Sequence, residues 1–266
     1  MSEPHLFASL RADTRIWAVG AIHADVERLQ HVHALLAARL CVGDQVVYLG
    51  NYTGRQPAAI ACLNELLQFR RAVIAVPGAE VSDVTFLRGA QEEMWSKLLE
   101  LHFALNPASV MEWILGQGVA ATIEAYQMKP SEGLSAARHG PQRLAMWLNA
   151  LRGQIRRHDG HQALMSSLRH AAVCANHQIA FVHAGIDANR PLMAQGDLLW
   201  WGGGPFGELS SPISGVKRVV RGYDRRRGGF FQTNAVVTLD GGCGTGGALL
   251  AGCFSPNGQL IDLLEG

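Results

Sequence analysis

No apolar run in this chain approaches the roughly 20 residues that a membrane-spanning helix needs, although 48% of its 266 residues are hydrophobic. Met1 to Thr14 holds no long apolar core and does not read as a secretory signal. Cysteine is sparse. Cys41, Cys62, Cys174, Cys243 and Cys253 are scattered, odd in number and form no CxxC pair. That pattern speaks against a zinc or dithiol motif and fits reduced thiols in a cytoplasmic protein. Net charge is only +1, so the whole-molecule field gives no reason to expect nucleic acid or a membrane surface as a partner. Internal repeats and low-complexity tracts are also missing. What is left is a chain long enough to bury a substantial core, and it is expected to form one α/β domain over 1–266.

The first third alternates strand and helix. Arg15 to Val19 is a strand-like run ending at Gly20. Asp25 to Leu40 places Val26, Leu29, Val32, Leu35, Leu36 and Leu40 at helical spacing, with Asp25 as the expected cap. Gln45 to Leu49 reads as a strand and Ala58 to Phe69 as a helix, with Pro57 favourable at its first turn. Ala72 to Val76 and Val84 to Leu87 read as further extended pieces. This alternation predicts a parallel sheet with helices on its faces. From Gln91 to about His170 the chain is rich in Leu, Ala, Met and Trp, with breaks near Asn106-Pro107, Lys129-Pro130 and Gly140-Pro141. We read it as a helical insertion or cap, spanning roughly 91–177. Strands are expected again at Gln178 to Val182, Val216 to Val220, Ala235 to Leu239, Ala248 to Cys253 and Leu260 to Leu263.

Four short stretches fall where a strand ends and a loop begins, the place where open α/β sheets bind ligands. They are Gly20-Ala21-Ile22-His23-Ala24, Gly50-Asn51-Tyr52-Thr53-Gly54-Arg55, Phe86-Leu87-Arg88-Gly89-Ala90-Gln91-Glu92 and Phe181-Val182-His183-Ala184-Gly185-Ile186. Their order and spacing resemble the bacterial serine/threonine protein phosphatases of the calcineurin-like metallophosphoesterase superfamily. There the first three read Gly-Asp-Ile-His-Gly, Gly-Asp-Tyr-Val-Asp-Arg-Gly and Arg-Gly-Asn-His-Glu. Asp197 to Trp200 and Thr238-Leu239-Asp240-Gly241-Gly242 extend the resemblance from about Ile16 to the C-terminus. It implies an α/β sandwich of two mixed sheets flanked by helices, with the helical insertion as a cap.

The resemblance also implies a site for two divalent cations such as manganese, held roughly 3.5–4 Å apart by carboxylates and imidazoles and sharing an activated water. Of the six ligand positions, His23 and His183 keep the family residue. Ala21 and Ala90 have no donor atom. Asn51 replaces the bridging carboxylate with a neutral amide, and Tyr223 stands where the last histidine is expected. The proton-donating histidine corresponds to Gln91, and the aspartate that orients it to Gly54; glutamine cannot protonate a leaving alkoxide. Arg55 keeps a phosphate-gripping arginine, while the second such arginine corresponds to a position near Gly202. The pattern is that of a pseudoenzyme: no resident cofactor is expected, and a protein partner or self-association replaces catalysis. Two alternatives stay open. One is a phosphoesterase rebuilt around His23, His183, Asn51 and borrowed carboxylates such as Asp25 or Glu92. The other is a metal-free phosphate or nucleotide sensor using Arg55 and the basic stretch Lys217, Arg218, Arg221, Arg225, Arg226 and Arg227.

Other features have plainer readings beside them. Asp25 suits a helix cap. Glu92 and Glu93 suit a first helical turn, where the macrodipole favours acids. Gly242 to Gly247 fits GxGxxG formally, but a strand follows it, so a glycine-rich turn is expected. Trp200 and Trp201, with Arg225, Arg226 and Arg227, are candidate partner contacts, one tryptophan being expected in the core. His31/His33 and His158/His161 read as surface residues.

Overall fold

The computed structural model describes residues 6–226 and 228–266. Its strands are β1 (Phe7–Leu10), β2 (Ile16–Val19), β3 (Gln45–Tyr48), β4 (Val84–Phe86), β5 (Ala171–Cys174), β6 (Ile179–Val182), β7 (Arg218–Arg221), β8 (Phe231–Gln232), β9 (Val236–Thr238), β10 (Leu250–Phe254) and β11 (Leu260–Glu265). Its α-helices are α1 (Val26–Ala37), α2 (Ala59–Ile74), α3 (Ala90–Leu99), α4 (Pro107–Ile114), α5 (Ala120–Ala125), α6 (Pro130–Arg138), α7 (Pro141–Ile155), α8 (His161–Ser166) and α9 (Leu198–Trp201).

Two mixed sheets result. One has the order β1-β5-β6-β7-β9-β8, the other β11-β10-β2-β3-β4. Strand alternation explains how they stack. In β2, Ile16 and Ala18 join Val47 of β3, Phe181 of β6, Val220 of β7 and Val237 of β9 in a fully buried layer between the sheets. The intervening Trp17 and Val19 turn the other way and pack with Leu29, Val32 and Leu66 of α1 and α2. Both faces of β2 are therefore covered, which is why it reads as an unbroken apolar run. The outer face of the six-stranded sheet has its own cluster, including Ala180, Val182, Val219, Val236, Trp200 and Phe206.

Asp25 caps α1, its carboxylate accepting the Arg28 N–H at 3.3 Å. Between β4 and β5 the helices α3 to α8 share a separate apolar cluster around Met94, Trp95, Leu98, Met111, Trp147 and Leu148. The last of these helices ends at Ser166, and Ala171–Cys174 is strand, earlier than the expected helical limit near 177. The strand expected at Ala72 to Val76 does not form. α2 continues to Ile74, because Val73 and Ile74 pack from the helix against the cluster that holds Leu66 and Phe69. Packing of a continuous helical stripe overrides β-branched propensity here.

Two of the histidines read as surface residues are core residues. His33 is 3% exposed, stacks on Phe69 at 3.9 Å, and bonds Glu65 at 2.6 Å and the Tyr48 hydroxyl at 2.8 Å. His161 is fully buried between the Tyr126 hydroxyl at 2.7 Å and Asn64 Oδ1 at 3.0 Å. Each ring nitrogen has a partner, so burial carries no unsatisfied polar atom. No helix among the described residues is long and apolar enough to cross a membrane.

Candidate functional site

Strands β2, β3 and β4 are mutually parallel, as are β6 and β7. Their carboxyl ends deliver the four motifs to one place. Ala21 N–H donates to Gly222 O at 3.0 Å, joining the β2 and β7 loops across the sheets. His23 N–H donates to Asn51 O at 2.6 Å, joining the β2 and β3 loops. His23, Ala24, Asn51 and Arg55 all adopt left-handed backbone, with φ of 54°, 61°, 56° and 58°. Such conformations cost on the order of 1–3 kcal/mol each and persist only where the surroundings over-determine them.

The main determinant is Glu92, on the first turn of α3 and 3% exposed. Its Oε2 accepts the N–H groups of Asn51 (2.8 Å) and Gly89 (3.0 Å), and its Oε1 those of Tyr52 (2.8 Å) and Thr53 (3.4 Å). Burial pushes its carboxyl up, against the hydrogen bonds from Asn51, Gly89 and Tyr52. The macrodipole role expected for Glu92 is thus a small part of what it does. Glu93 instead pairs with Arg88 at 3.0 Å and Lys97 at 3.1 Å. The oxygens of Glu92 and of the capping Asp25, which also meets Arg28 at 3.4 Å, already accept N–H groups of the chain.

The retained donors are committed too. Asn51 Oδ1 accepts the Gln91 N–H at 2.9 Å, which fixes the amide and turns Nδ2 toward His23 Nε2 at 3.4 Å. His183 Nδ1 donates to Leu49 O at 2.6 Å, so the neutral ring presents a lone pair at Nε2, buried and without a hydrogen-bond partner. Burial pushes this imidazole down to about 4. Over it lies Tyr223. The two rings stack at 5.3 Å and 8°, and the same phenol meets His23 edge-on at 5.6 Å and 65°. The tyrosine ring therefore contacts both imidazoles. Gly244, at φ +75°, lets the glycine-rich turn close over His23; a Cβ there would lie 2.3 Å from His23 Cβ.

These residues do not fit a pair of divalent cations. Among the described residues there is no group of three or more His, Cys, Asp or Glu side chains able to hold a metal. One free imidazole nitrogen, with no carboxylate beside it, cannot offset the repulsion between two doubly charged ions. Gln91 stands where the resemblance implies a proton donor. Gln91 Nε2 donates to Gln117 O at 2.8 Å, while its Oε1 is buried and unpartnered. A Cβ on Gly54 would lie 2.1 Å from that oxygen, so the glutamine amide takes the space of any side chain at 54.

In front of Asn51, Gln91 and Tyr223 lies a cavity of about 370 Å³. Arg55, Lys97 and Arg225 reach it, as do Trp113, Trp200 and Trp201. Trp200 is buried and belongs to the outer-sheet core, as expected for one of the pair, whereas Trp201 meets Trp113 edge-to-face at 5.6 Å. The basic stretch does not act together. Arg218 bonds Gly258 O and Asn234 O; Arg221 is held by Asp224 at 2.7 Å and lies over the Phe206 ring. Arg225 and Arg226 are exposed, and Arg227 lies outside the described residues. Trp113, Lys97 and Gln117 were missed from the sequence. The signal was Gly116-Gln117-Gly118, which breaks the α4–α5 run with one π-helical turn and places Gly118 O 3.2 Å from Arg55 N.

By sequence, the chain matches no protein-family model and no curated protein. By structure, it is similar to a protein provisionally assigned as a diadenosine tetraphosphatase, with a TM-score of 0.57 and 19% identity over 98% of this chain and 97% of that one. It is also similar to a Saccharomyces cerevisiae serine/threonine phosphatase related to human phosphatase PP5, with a TM-score of 0.52 and 14% identity over 99% and 84% of the two chains. The architecture is that of the calcineurin-like phosphoesterases: two mixed sheets flanked by helices.

Proposed function

We propose that this protein keeps the phosphatase fold without a dinuclear metal centre and acts as a binding or assembly subunit, with another protein or a second copy as partner. One observation carries the reading: the Tyr223 ring stacked on His183 and set edge-on to His23. A ring in contact with both imidazoles leaves them less room to converge on an ion, which supports the reading. The donor-free Ala21 and Ala90 and the fully bonded Glu92 support the same reading. A site rebuilt with Asp25 or Glu92 loses support, because both carboxylates already hold backbone or arginine N–H groups.

The test is direct. Protein loaded with Mn²⁺ and desalted is expected to retain well under one ion per chain and to leave an aryl phosphate at the blank rate. Retention of about two ions per chain, with turnover abolished by His23→Ala, overturns the proposal. The converse experiment rebuilds the donors. The combined variant Ala21→Asp, Asn51→Asp, Ala90→Asn, Tyr223→His is expected to bind Mn²⁺ where the parent does not.

A further inference from the structure

Helix α3 is also the wall of a second cavity. Gln91, Met94 and Lys97 turn toward the cleft, whereas Glu92, Trp95, Ser96 and Leu99 line a separate space of about 360 Å³. The second set has the i, i+3, i+4, i+7 spacing of a single helical face. Across from it stand Arg152, Ile155 and Arg156, at the end of α7, and Met165 of α8. Two positive charges here have no acid to balance them. Arg152 donates to Asn149 Oδ1 at 3.2 Å and to Leu99 O, both neutral acceptors. The exposed Arg156 side chain has no hydrogen-bond or ion-pair partner among the described residues. A third arginine, Arg88, is taken by Glu93 at 3.0 Å. The Arg156 N–H donates to Arg152 O at 3.1 Å, so the two residues lie one helical turn apart on one side of the chain. The carboxyl end of a helix tolerates cations, but like charges at this spacing repel. An anion held between them relieves that repulsion, and a carboxylate fits the guanidinium fork with two parallel hydrogen bonds. Ser96 adds a hydroxyl on the α3 side, unpartnered among the described residues. Much of the remaining lining is apolar: Leu99 and Met165 are partly buried, Trp95 and Ile155 buried. Glu92 lines the cavity too, with its oxygens on backbone N–H groups. A doubly charged head meets about twice the repulsion from it that a carboxylate meets. The volume lies at the lower end of the range for small-molecule sites.

We propose that this second cavity binds a small amphipathic monocarboxylate, with its head on Arg152 and Arg156 and its apolar body against Leu99, Ile155 and Met165. The site is separate from the cleft and stands whether or not the cleft holds metal. Its ligand rests on the helix whose Glu92 fixes the Asn51 to Thr53 loop.

The experiment is isothermal titration calorimetry of the full chain in EDTA with octanoate. Acetate supplies the head alone, hexanol an apolar body alone, and octyl phosphate a doubly charged head. Saturable binding of about one octanoate per chain is expected, with about tenfold weaker binding of acetate and of hexanol and weaker binding of octyl phosphate. Arg156→Glu reverses an exposed charge and is expected to weaken octanoate binding at least about tenfold. Arg152→Gln, which keeps a donor for Leu99 O, is expected to act in the same direction. Arg157→Glu makes the same charge change next door, at an exposed residue outside the cavity, and is expected to leave the affinity within about twofold. Circular dichroism and the ligand-free melting point of each variant separate lost binding from lost folding. The proposal is overturned by the absence of both saturable heat and a ligand-induced rise in melting point up to about 10 mM octanoate. Equal losses in Arg156→Glu and Arg157→Glu overturn it as well, by reducing the effect to general surface charge. So does tighter binding of octyl phosphate than of octanoate. A loss in Arg55→Gln with none in Arg156→Glu moves the ligand to the cleft and overturns it too.

Discussion

At the scale of single residues, Glu92 shows how one buried carboxylate holds a loop in shape. Four backbone N–H groups converge on its two oxygens. Glutamine has the same size but only one acceptor oxygen, and its NH₂ faces donors. Glu92→Gln is therefore expected to lose roughly 2–4 kcal/mol in urea unfolding; a variant as stable as the parent would show that the loop is held by something else. Gly54 offers a sharper contrast. Gly54→Ala meets both a φ of +83° and the Gln91 amide, for an expected loss of about 1–3 kcal/mol. Adding Gln91→Ala removes the clash but not the backbone strain, so Gly54→Ala in that background is expected to cost only about 1 kcal/mol. Equal costs in the two backgrounds would mean that the amide yields freely. At this scale the sequence discloses that Ala21 and Ala90 carry no donor atom, since an alanine has none in any fold. It did not disclose where Gln91 and Tyr223 point, because side-chain direction is set by neighbours far along the chain, such as Gln117 and His183.

At the scale of elements, most strands and helices were legible, and the misplacements have a common cause. Sequence pattern identified α1 and α2 by helical spacing, and β2 and β3 as short runs that are buried throughout. It was silent on β1 and β5, each four residues long and paired with one another. It also misjudged His33 and His161, because a histidine is read as polar until a partner on another element is known. His161, in α8, joins Tyr126 at the end of α5 to Asn64 in α2. Burial and the neighbouring His158 push it down to about 4. An unfolded chain protonates its histidines near the ordinary value of about 6.5. Between these values the unfolded state takes up the proton first. The contribution is thus complete above pH 6.5 and is lost as pH falls toward 4, by at most about 3 kcal/mol. His183 acts with the same sign. His161→Gln is expected to flatten the decline in stability between pH 6.5 and 4 by roughly half. An unchanged slope in the variant would assign the acid sensitivity elsewhere.

At the scale of the whole molecule, the question is what ties the two sheets and the helices together where the active centre of a phosphatase lies. In a metal-dependent enzyme the ions themselves cross-link the loops after β2, β3, β4 and β6, and binding to the native state alone adds about 2.7 kcal/mol at a hundredfold excess over the dissociation constant. Here the same loops are joined by groups of the chain itself: the Ala21–Gly222 and His23–Asn51 backbone bonds, the Glu92 clamp, the His183–Leu49 bond, and the Tyr223 ring against both imidazoles. On the proposed reading these contacts close the loops without an ion, so the melting point should be indifferent to metal. In 1 mM EDTA and in 1 mM Mn²⁺ the two melting points are expected to agree within about 1 °C, where a metal site at that excess would separate them by roughly 5–10 °C. A Mn²⁺-dependent rise of that size, absent from His183→Ala, would place an ion under Tyr223 and require the phenol ring to swing aside.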